Sequence, residues 1–155
     1  MNEQLIQERE KLRKSMFHRT SEFNRRIAYC EHDSFGQLRI EIGYVDSSMA
    51  PLHTLLLNAP VQIYLNTRVG PIAHNPRYQR SAQERPFYTY VGSDTGGNDL
   101  IVGGPFIILG PSKQEEMGFF KRMDLSWSER EIKEMLSPLS PEQSLEYHIR
   151  NYTRS

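Results

Sequence analysis

The apolar residues of the N-terminal part recur at a helical spacing. Five of them follow one another at steps of seven, four, seven and four: Leu5, Leu12, Met16, Phe23 and Ile27. At about 100° per residue these steps place all five on one narrow stripe. Oppositely charged residues four apart, such as Glu10 and Lys14, support a helix in this segment. We predict one long helix over residues 3–29, whose stripe lies either on a partner or across the chain's own sheet.

The period of the pattern changes to two after Gly36. Four apolar residues alternate there with glutamine, arginine, glutamate and glycine: Leu38, Ile40, Ile42 and Tyr44. This alternation predicts a half-buried strand with one solvated face, typical of an antiparallel sheet. Val61, Ile63 and Leu65 predict the next strand, and the aromatic stretch 87–91 predicts another.

Two further β-rich stretches, residues 99–102 and 106–109, are separated by a Gly-Gly-Pro triplet. A glycine pair between strands indicates a tight turn, because both glycines adopt positive φ without a Cβ clash. Proline suits the first position of the returning strand. We predict a β-hairpin over residues 99–109 that turns at Gly103 and Gly104.

The C-terminal third returns to helical signals. Residues 126–129 (Ser-Trp-Ser-Glu) and 140–143 (Ser-Pro-Glu-Gln) match the capping box that begins a helix, and residues 112–115 match it more weakly. Helically spaced apolar residues follow the first two boxes. These boxes predict two or three short helices.

The predicted elements define an α+β fold, with a central, mostly antiparallel β-sheet, a long N-terminal helix and short C-terminal helices. A chain of 155 residues has the usual size of one domain. We predict a single domain over residues 1–155, divided into the helix at 3–29, a β-rich core at 35–110 and a helical region at 112–155.

Composition excludes several classes of protein. Lys plus Arg and Asp plus Glu both number 19, so no net charge attracts the chain to nucleic acid or to an acidic membrane. Cys30 is the single cysteine, which rules out an intrachain disulfide. The charged N-terminus lacks the apolar core of a signal peptide, and every apolar run is too short to cross a bilayer. We expect a soluble protein without a membrane partner, cytoplasmic or virion-borne and not secreted.

Residues 94–96 carry the most suggestive catalytic triplet, Asp-Thr-Gly. It resembles the Asp-Thr-Gly of aspartic proteases, in which two such aspartates share a proton and activate water. The loosely similar residues 108–110 follow about a dozen residues later, which leaves no room for the flap that such proteases need. Asp, Thr and Gly are also typical turn residues. We therefore expect a plain turn at Asp94 and no catalytic residue.

Metal and cofactor sites are not expected either. Cys30, His32 and Asp33 lie close together in the sequence, and His53 and His74 are the further candidate ligands. Structural zinc sites bring paired ligands twice over, whereas this chain has one short pair. Glycine-rich phosphate-binding and nucleophile-elbow motifs do not occur in the sequence. We predict no metal and no cofactor.

The segment 64–90 interleaves arginines with aromatic residues and has one acidic residue, Glu84. Arginines bind phosphates and aromatics stack on unpaired bases, which suits single-stranded nucleic acid. Tyrosine and arginine are also enriched at protein–protein hot spots, and the zero net charge favours this second interpretation. Together with the helix stripe, the segment supplies our predicted partner-binding residues: Leu5, Leu12, Met16, Phe23, Arg68, Arg77, Tyr78, Arg80 and Arg85.

The function expected from these observations is a non-enzymatic structural or adaptor subunit of a larger assembly. It would dock on other protein subunits, including copies of itself, through its helical ends and the Arg/Tyr-rich loop. A virus or phage particle is the preferred instance. The alternatives are a single-stranded RNA-binding protein that uses residues 64–90, and an enzyme of unrecognised type.

Overall fold

A computed structural model describes residues 3–15, 24–33, 35–46, 50–56, 61–76, 87–112 and 128–152 of the chain. Strands dominate the described part, and four short helices accompany them. In chain order the elements are α1 (Glu3–Ser15), β1 (Asn24–His32), β2 (Leu38–Asp46), α2 (Ala50–Leu55), β3 (Gln62–Thr67), β4 (Gly70–His74), β5 (Tyr88–Ser93), β6 (Asp99–Gly103), β7 (Phe106–Ser112), α3 (Glu129–Met135), β8 (Ser137–Pro138) and α4 (Pro141–Tyr152).

The strands form two antiparallel sheets, so the predicted single central sheet is wrong. Sheet A has five strands in the order β2-β1-β7-β4-β3, and sheet B has three in the order β6-β5-β8. β1 and β7 lie in the interior of sheet A, and β2 and β3 are its two outer strands among the described elements.

The interior strands β1 and β7 of sheet A are buried on both faces. On β1, Ile27 and Tyr29 enter one core and Ala28 and Cys30 enter the other, as expected for successive residues of a strand. The first, the helix-side core, also contains Val45, Leu52, Leu55, Leu56, Ala73, Ile107 and Leu109. The second, the sheet-side core, joins sheet A to sheet B and α3 through Val69, Val91, Val102, Ile132 and Leu136. The described part of the molecule therefore has three layers. α1 and α2 form the first, sheet A is the middle layer, and sheet B with α3 forms the third.

The predicted long helix over residues 3–29 is wrong, because α1 covers Glu3–Ser15 and residues 24–29 belong to a strand, while residues 16–23 lie outside the described residues. β1 starts at Asn24 and pairs with β2 on one side and with β7 on the other. Its residues 27–30 are all buried because both faces of this strand are covered. A strand buried on both faces shows no alternation, and the spacing that placed Ile27 on the helix stripe was coincidental.

The predicted hairpin over residues 99–109 is also wrong. β6 pairs with β5 in sheet B, whereas β7 pairs with β1 and β4 in sheet A. Gly104, with φ of 68°, turns the chain from one sheet to the other, and its N–H donates to the Phe87 carbonyl at 2.9 Å. The glycines supply the turn, but the residues of β7 are buried on both sides and are accommodated in the middle of sheet A.

Several local predictions are confirmed. β2 and β3 cover the strands predicted from their alternating residues. Ser140 and Gln143 form a reciprocal capping box, in which the Ser140 N–H donates to Gln143 Oε1 at 3.0 Å and the Gln143 N–H donates to Ser140 Oγ at 3.1 Å. α3 is capped by Ser128, whose Oγ accepts from the Glu131 N–H, rather than by the box predicted at residues 126–129, which falls partly outside the described residues.

Candidate functional site

β3 stands out because it combines an outer position in sheet A with an uncharged surface. Its sequence, Gln-Ile-Tyr-Leu-Asn-Thr, contains no charged residue and no proline. Ile63 is 37% exposed and Leu65 is 64% exposed. Ile63 is on the helix-side face, opposite Ala73 of β4. This strand therefore presents aliphatic side chains beside a sheet edge that no other described strand covers.

The turn from β3 to β4 is fastened to sheet B. The Arg68 N–H donates to the Val91 carbonyl of β5 at 2.9 Å. Thr67 Oγ1 donates to the Gly70 carbonyl and accepts from the Val69 N–H. Val69 is buried in the sheet-side core. The turn is thus held by hydrogen bonds and by one apolar anchor, and Arg68 starts from a fixed backbone.

Gly92 makes this close approach possible. It has φ of 144°, and a Cβ at this position would lie 3.2 Å from the Arg68 nitrogen and 3.4 Å from the Thr67 Cα. Both neighbours are backbone atoms, which cannot move away as the end of a side chain can. Only glycine satisfies both the backbone conformation and the space at this position.

Arg68 is exposed and positioned over an aromatic ring. Its guanidinium carbon lies 4.6 Å from the centre of the Tyr90 ring, and Nη1 is 3.4 Å from Ser137 Oγ. The Tyr90 hydroxyl is 2.8 Å from Ser93 Oγ. Arg68 therefore has a preferred orientation before any partner arrives. We call Ile63, Leu65, Arg68 and Tyr90 the β3-edge surface.

A buried histidine supports β3 from the neighbouring strand. His74 of β4 is fully buried, and its ring centre lies 4.5 Å from that of Tyr64. Within the described part of the chain, neither of its ring nitrogens has a hydrogen-bond partner. Burial lowers the pKa of His74 to about 4, because the charged imidazolium would lose its hydration. The ring is neutral near pH 7.

The predicted partner-binding residues do not form one surface in the structure. Arg68 belongs to the β3-edge surface, whereas Leu12 is partly buried against the helix-side core, so it contacts the chain's own fold. Leu5 belongs to α1. The other predicted positions lie outside the described residues: Met16, Phe23, Arg77, Tyr78, Arg80 and Arg85. Sequence reasoning missed Ile63 and Leu65, although the lack of charge across residues 61–67 was a visible signal.

A cleft lies at the opposite edge of sheet A, beside β2. It has a volume of about 370 Å³ and is lined mainly by charged side chains of both signs. Arg13 of α1 donates to Glu41 of β2 and lies 3.5 Å from a carboxylate oxygen of Glu31. Burial disfavours the Arg13 charge, but Glu41, Tyr29 and Glu31 together outweigh this and the pKa of Arg13 is raised. The charges of this cleft largely neutralise one another.

Cys30 and His32, the residues nearest to a metal-binding pattern, are packed inside the fold rather than turned toward a shared site. Burial raises the pKa of the Cys30 thiol, which keeps it protonated. His32 Nε2 is 3.0 Å from Thr89 Oγ1, and burial lowers the pKa of His32 to about 4. Among the described residues no group of three or more His, Cys, Asp and Glu is arranged to hold a metal ion.

Asp94 of the Asp-Thr-Gly triplet builds the turn between β5 and β6. Its Oδ1 accepts from the Gly96 and Asn98 N–H groups, each at 2.9 Å. These bonds, with the Asn98 backbone contributing most, hold the pKa of Asp94 below its usual value. The expected plain turn is confirmed.

Comparison with other proteins adds no relative. No protein-family model matches the chain, and no curated protein or solved structure is similar to it. Within the described residues, no helix is long and apolar enough to cross a membrane.

Proposed function

We propose that this chain is a non-enzymatic structural or adaptor subunit of a larger protein assembly. In this proposal it docks through the β3-edge surface, where an extended segment of a partner protein pairs with β3. The observation that carries the proposal is the uncharged outer strand with two exposed aliphatic residues, Ile63 and Leu65.

The physical basis is the chemistry of sheet edges. An outer strand leaves backbone N–H and C=O groups available, and natural proteins usually protect such edges with charges, prolines or bulges. β3 has a register irregularity between Tyr64 and Thr67 but no charge. An added strand would bond to the backbone and would cover Ile63 and Leu65 with alternate side chains. The preorientated Arg68 then adds a hot-spot contact at low entropic cost.

Single-stranded RNA is the alternative ligand for the same surface. Stacking would need an open aromatic face, and the Arg68 guanidinium already covers one face of Tyr90. The aliphatic side chains of Ile63 and Leu65 suit a protein better than a charged backbone of phosphates. We therefore favour a protein partner. A virus or phage particle is one assembly that such a subunit would serve.

The test places a photoreactive amino acid at position 65 of the full chain in its native cells. A benzoylphenylalanine there should form adducts with a polypeptide, whereas the same residue at the exposed position 11 of α1 should not. Arg68→Glu should reduce the adduct at position 65, and the exposed-site control Lys11→Glu should leave it unchanged. Hydrogen exchange should slow over residues 62–67 in the assembled protein relative to the free chain.

Each other outcome is informative. Adducts at position 65 that ribonuclease removes would replace the protein partner with RNA. If no adduct forms and exchange over residues 62–67 is the same in free and native protein, then docking at β3 is wrong.

A further inference from the structure

The exposed large apolar residues of the described chain fall into two groups. Ile63 and Leu65 belong to β3, and the remaining three are Phe35, Leu145 and Ile149. Phe35 is 82% exposed in the turn between β1 and β2, while Leu145 and Ile149 of α4 are 41% and 51% exposed. The second group lies on elements outside the β3-edge surface and calls for an explanation of its own.

α4 is turned with polar groups toward the body of the protein. Ser144 and His148 are buried, and both bond to Tyr88 of β5. The Tyr88 N–H donates to Ser144 Oγ at 3.1 Å, and the Tyr88 hydroxyl is 2.7 Å from His148 Nδ1. A surface helix normally buries its apolar stripe and exposes its polar face. The hydrogen bonds thus fix α4 in an orientation that displays Leu145 to solvent.

Phe35 is held next to the start of α4. Asp33 Oδ1 accepts from the Phe35 N–H at 2.9 Å and from the Gln37 N–H at 3.0 Å, which fixes the turn. A Cβ on the neighbouring Gly36 would lie 3.3 Å from Pro141 Cγ of α4. The turn that carries Phe35 therefore lies beside the first turn of α4. We call Phe35, Leu145 and Ile149 the α4 face.

The charges beside the α4 face indicate what covers it. Glu142, Glu146 and Arg150 follow at four-residue spacing, so they form a row along one flank of Leu145 and Ile149. The row is acidic toward the start of the helix and basic toward its end. A second α4 laid antiparallel would bring its Arg150 opposite the acidic half of the first row. A parallel arrangement would lose this match and would set like ends of the two helices, and of their dipoles, beside each other.

We propose that a second copy of this chain docks on the α4 face, with the two α4 helices antiparallel across a two-fold axis. Such an interface is isologous, because Leu145 of each copy meets Ile149 of the other. Phe35 lies at both ends of the helix pair and widens the contact. This interface is distinct from the β3-edge surface, so a dimer would carry two β3 edges and could link two partners.

Sedimentation of the purified full chain over about a hundredfold concentration range tests the proposal. The wild type should show a reversible monomer–dimer equilibrium. Leu145→Lys should raise the dissociation constant at least about tenfold, because it buries a charge at the centre of the interface. Lys11→Glu, a change at an exposed site on α1, should leave the constant unchanged.

A charge exchange tests the antiparallel orientation. Arg150→Glu alone should weaken the dimer, since it opposes acidic rows. The double variant Glu146→Arg with Arg150→Glu should recover most of the affinity, and it also preserves the ion pair that these residues make at 3.4 Å within α4. Thermal unfolding of each variant verifies that the fold is retained.

Two results would overturn the proposal. One is a wild-type chain that stays monomeric over the whole concentration range. The other is a dimer that persists in Leu145→Lys but dissociates in Leu65→Lys, which would place the self-contact at β3. A folded Leu145→Lys that loses the dimer but retains polypeptide adducts at position 65 would show that the two surfaces act independently.

Discussion

The two outer strands of sheet A differ in the charge that they carry. β2 carries Arg39 and Glu41, and α1 reaches across to it through the Arg13–Glu41 hydrogen bond. β3, six residues long, carries no charge and exposes Ile63 and Leu65. One edge is therefore protected by charges in the manner usual for monomeric proteins, and the other lacks that protection. This difference is the basis on which we propose β3 as the docking edge.

The β2 edge is also the better connected of the two. Arg13 bonds to Glu10 at 2.8 Å as well as to Glu41, and its guanidinium carbon lies 5.1 Å from the centre of the Tyr29 ring. Tyr29 is buried, and burial is the main cause of its raised pKa. α1 is thus fixed to the sheet by charge and ring contacts beside this edge. β3 is instead held at its turn toward β4, by the Arg68–Val91 backbone hydrogen bond and by buried Val69.

Acid should produce the largest effect. The pKa of His74 near β3 and that of His32 near β2 are both about 4, against about 6.5 in an unfolded chain. Between these values the unfolded chain binds protons that the folded chain does not. The stability that these neutral histidines contribute is therefore fully present above about pH 6.5. The free energy of unfolding falls as the pH is lowered toward 4, by up to about 3 kcal/mol for each histidine.

Urea unfolding at a series of pH values measures this loss, and one variant assigns it to an edge. His74→Phe should remove the part of the acid-induced loss that His74 causes, and it should leave the part that His32 causes. Hydrogen exchange in mild acid should show β3 opening before β2, because His74 lacks hydrogen-bond partners within the described chain. An unchanged acid loss in His74→Phe would contradict the assignment.

Gly92→Ala should have the next largest effect. The Cβ would meet the backbone of the β3–β4 turn, and φ of 144° strains any L side chain. We expect a loss of about 2 kcal/mol in the free energy of unfolding, together with a weaker Arg68–Tyr90 contact. Gly97→Ala is the matched control, since Gly97 has φ of 81° but open space around it, and should cost about 1 kcal/mol. Equal losses in the two variants would show that the turn is not clamped on β5.

The β2 edge is tested by Arg13→Met. Methionine retains contact with Tyr29 but leaves Glu41 without its cation, while Glu31 keeps Arg9 at 3.7 Å, so the change should cost about 1.5 kcal/mol. Lys14→Met, at an exposed neighbouring position of α1, should change stability by no more than a few tenths of a kcal/mol. Urea unfolding at low and high salt distinguishes the two, because part of the Arg13 effect should be screened. A negligible loss in Arg13→Met would mean that charge does not protect this edge.

Sequence patterns predicted the outer strands better than the inner ones. β2 alternates because its two faces differ in exposure, and β3 keeps an alternating apolar spacing although Ile63 and Leu65 are exposed; both strands were predicted. β1 and β7 are covered on both faces, so alternation is absent, and both were misassigned in helix length or in strand pairing. Such errors arise because pairing between distant strands outweighs local spacing.

The candidate surface was predictable in part. Arg68 was selected because arginine among aromatics suits an interface, and it is exposed over Tyr90. Leu65 was not selected, because Val61, Ile63 and Leu65 alternate as any buried face would. Val61, just before β3, does pack against the helix-side core, whereas Leu65 within the strand is exposed. Spacing identifies an apolar face, but the extent of the covering layer decides which of its residues are buried.

The smallest predicted effect compares one arginine from each edge. Arg68→Ala removes a cation–π contact with Tyr90 and should cost about 0.5 to 1 kcal/mol. Arg39→Ala removes an exposed ion pair with Asp33 at 3.3 Å, for which we expect a smaller loss. Raising the salt concentration should abolish the Arg39 effect by screening, and it should leave most of the Arg68 effect, since ring contact depends less on free charge. If both losses disappear in salt, Arg68 is held by charge alone and the β3 edge lacks the preorientated contact that distinguishes it from β2.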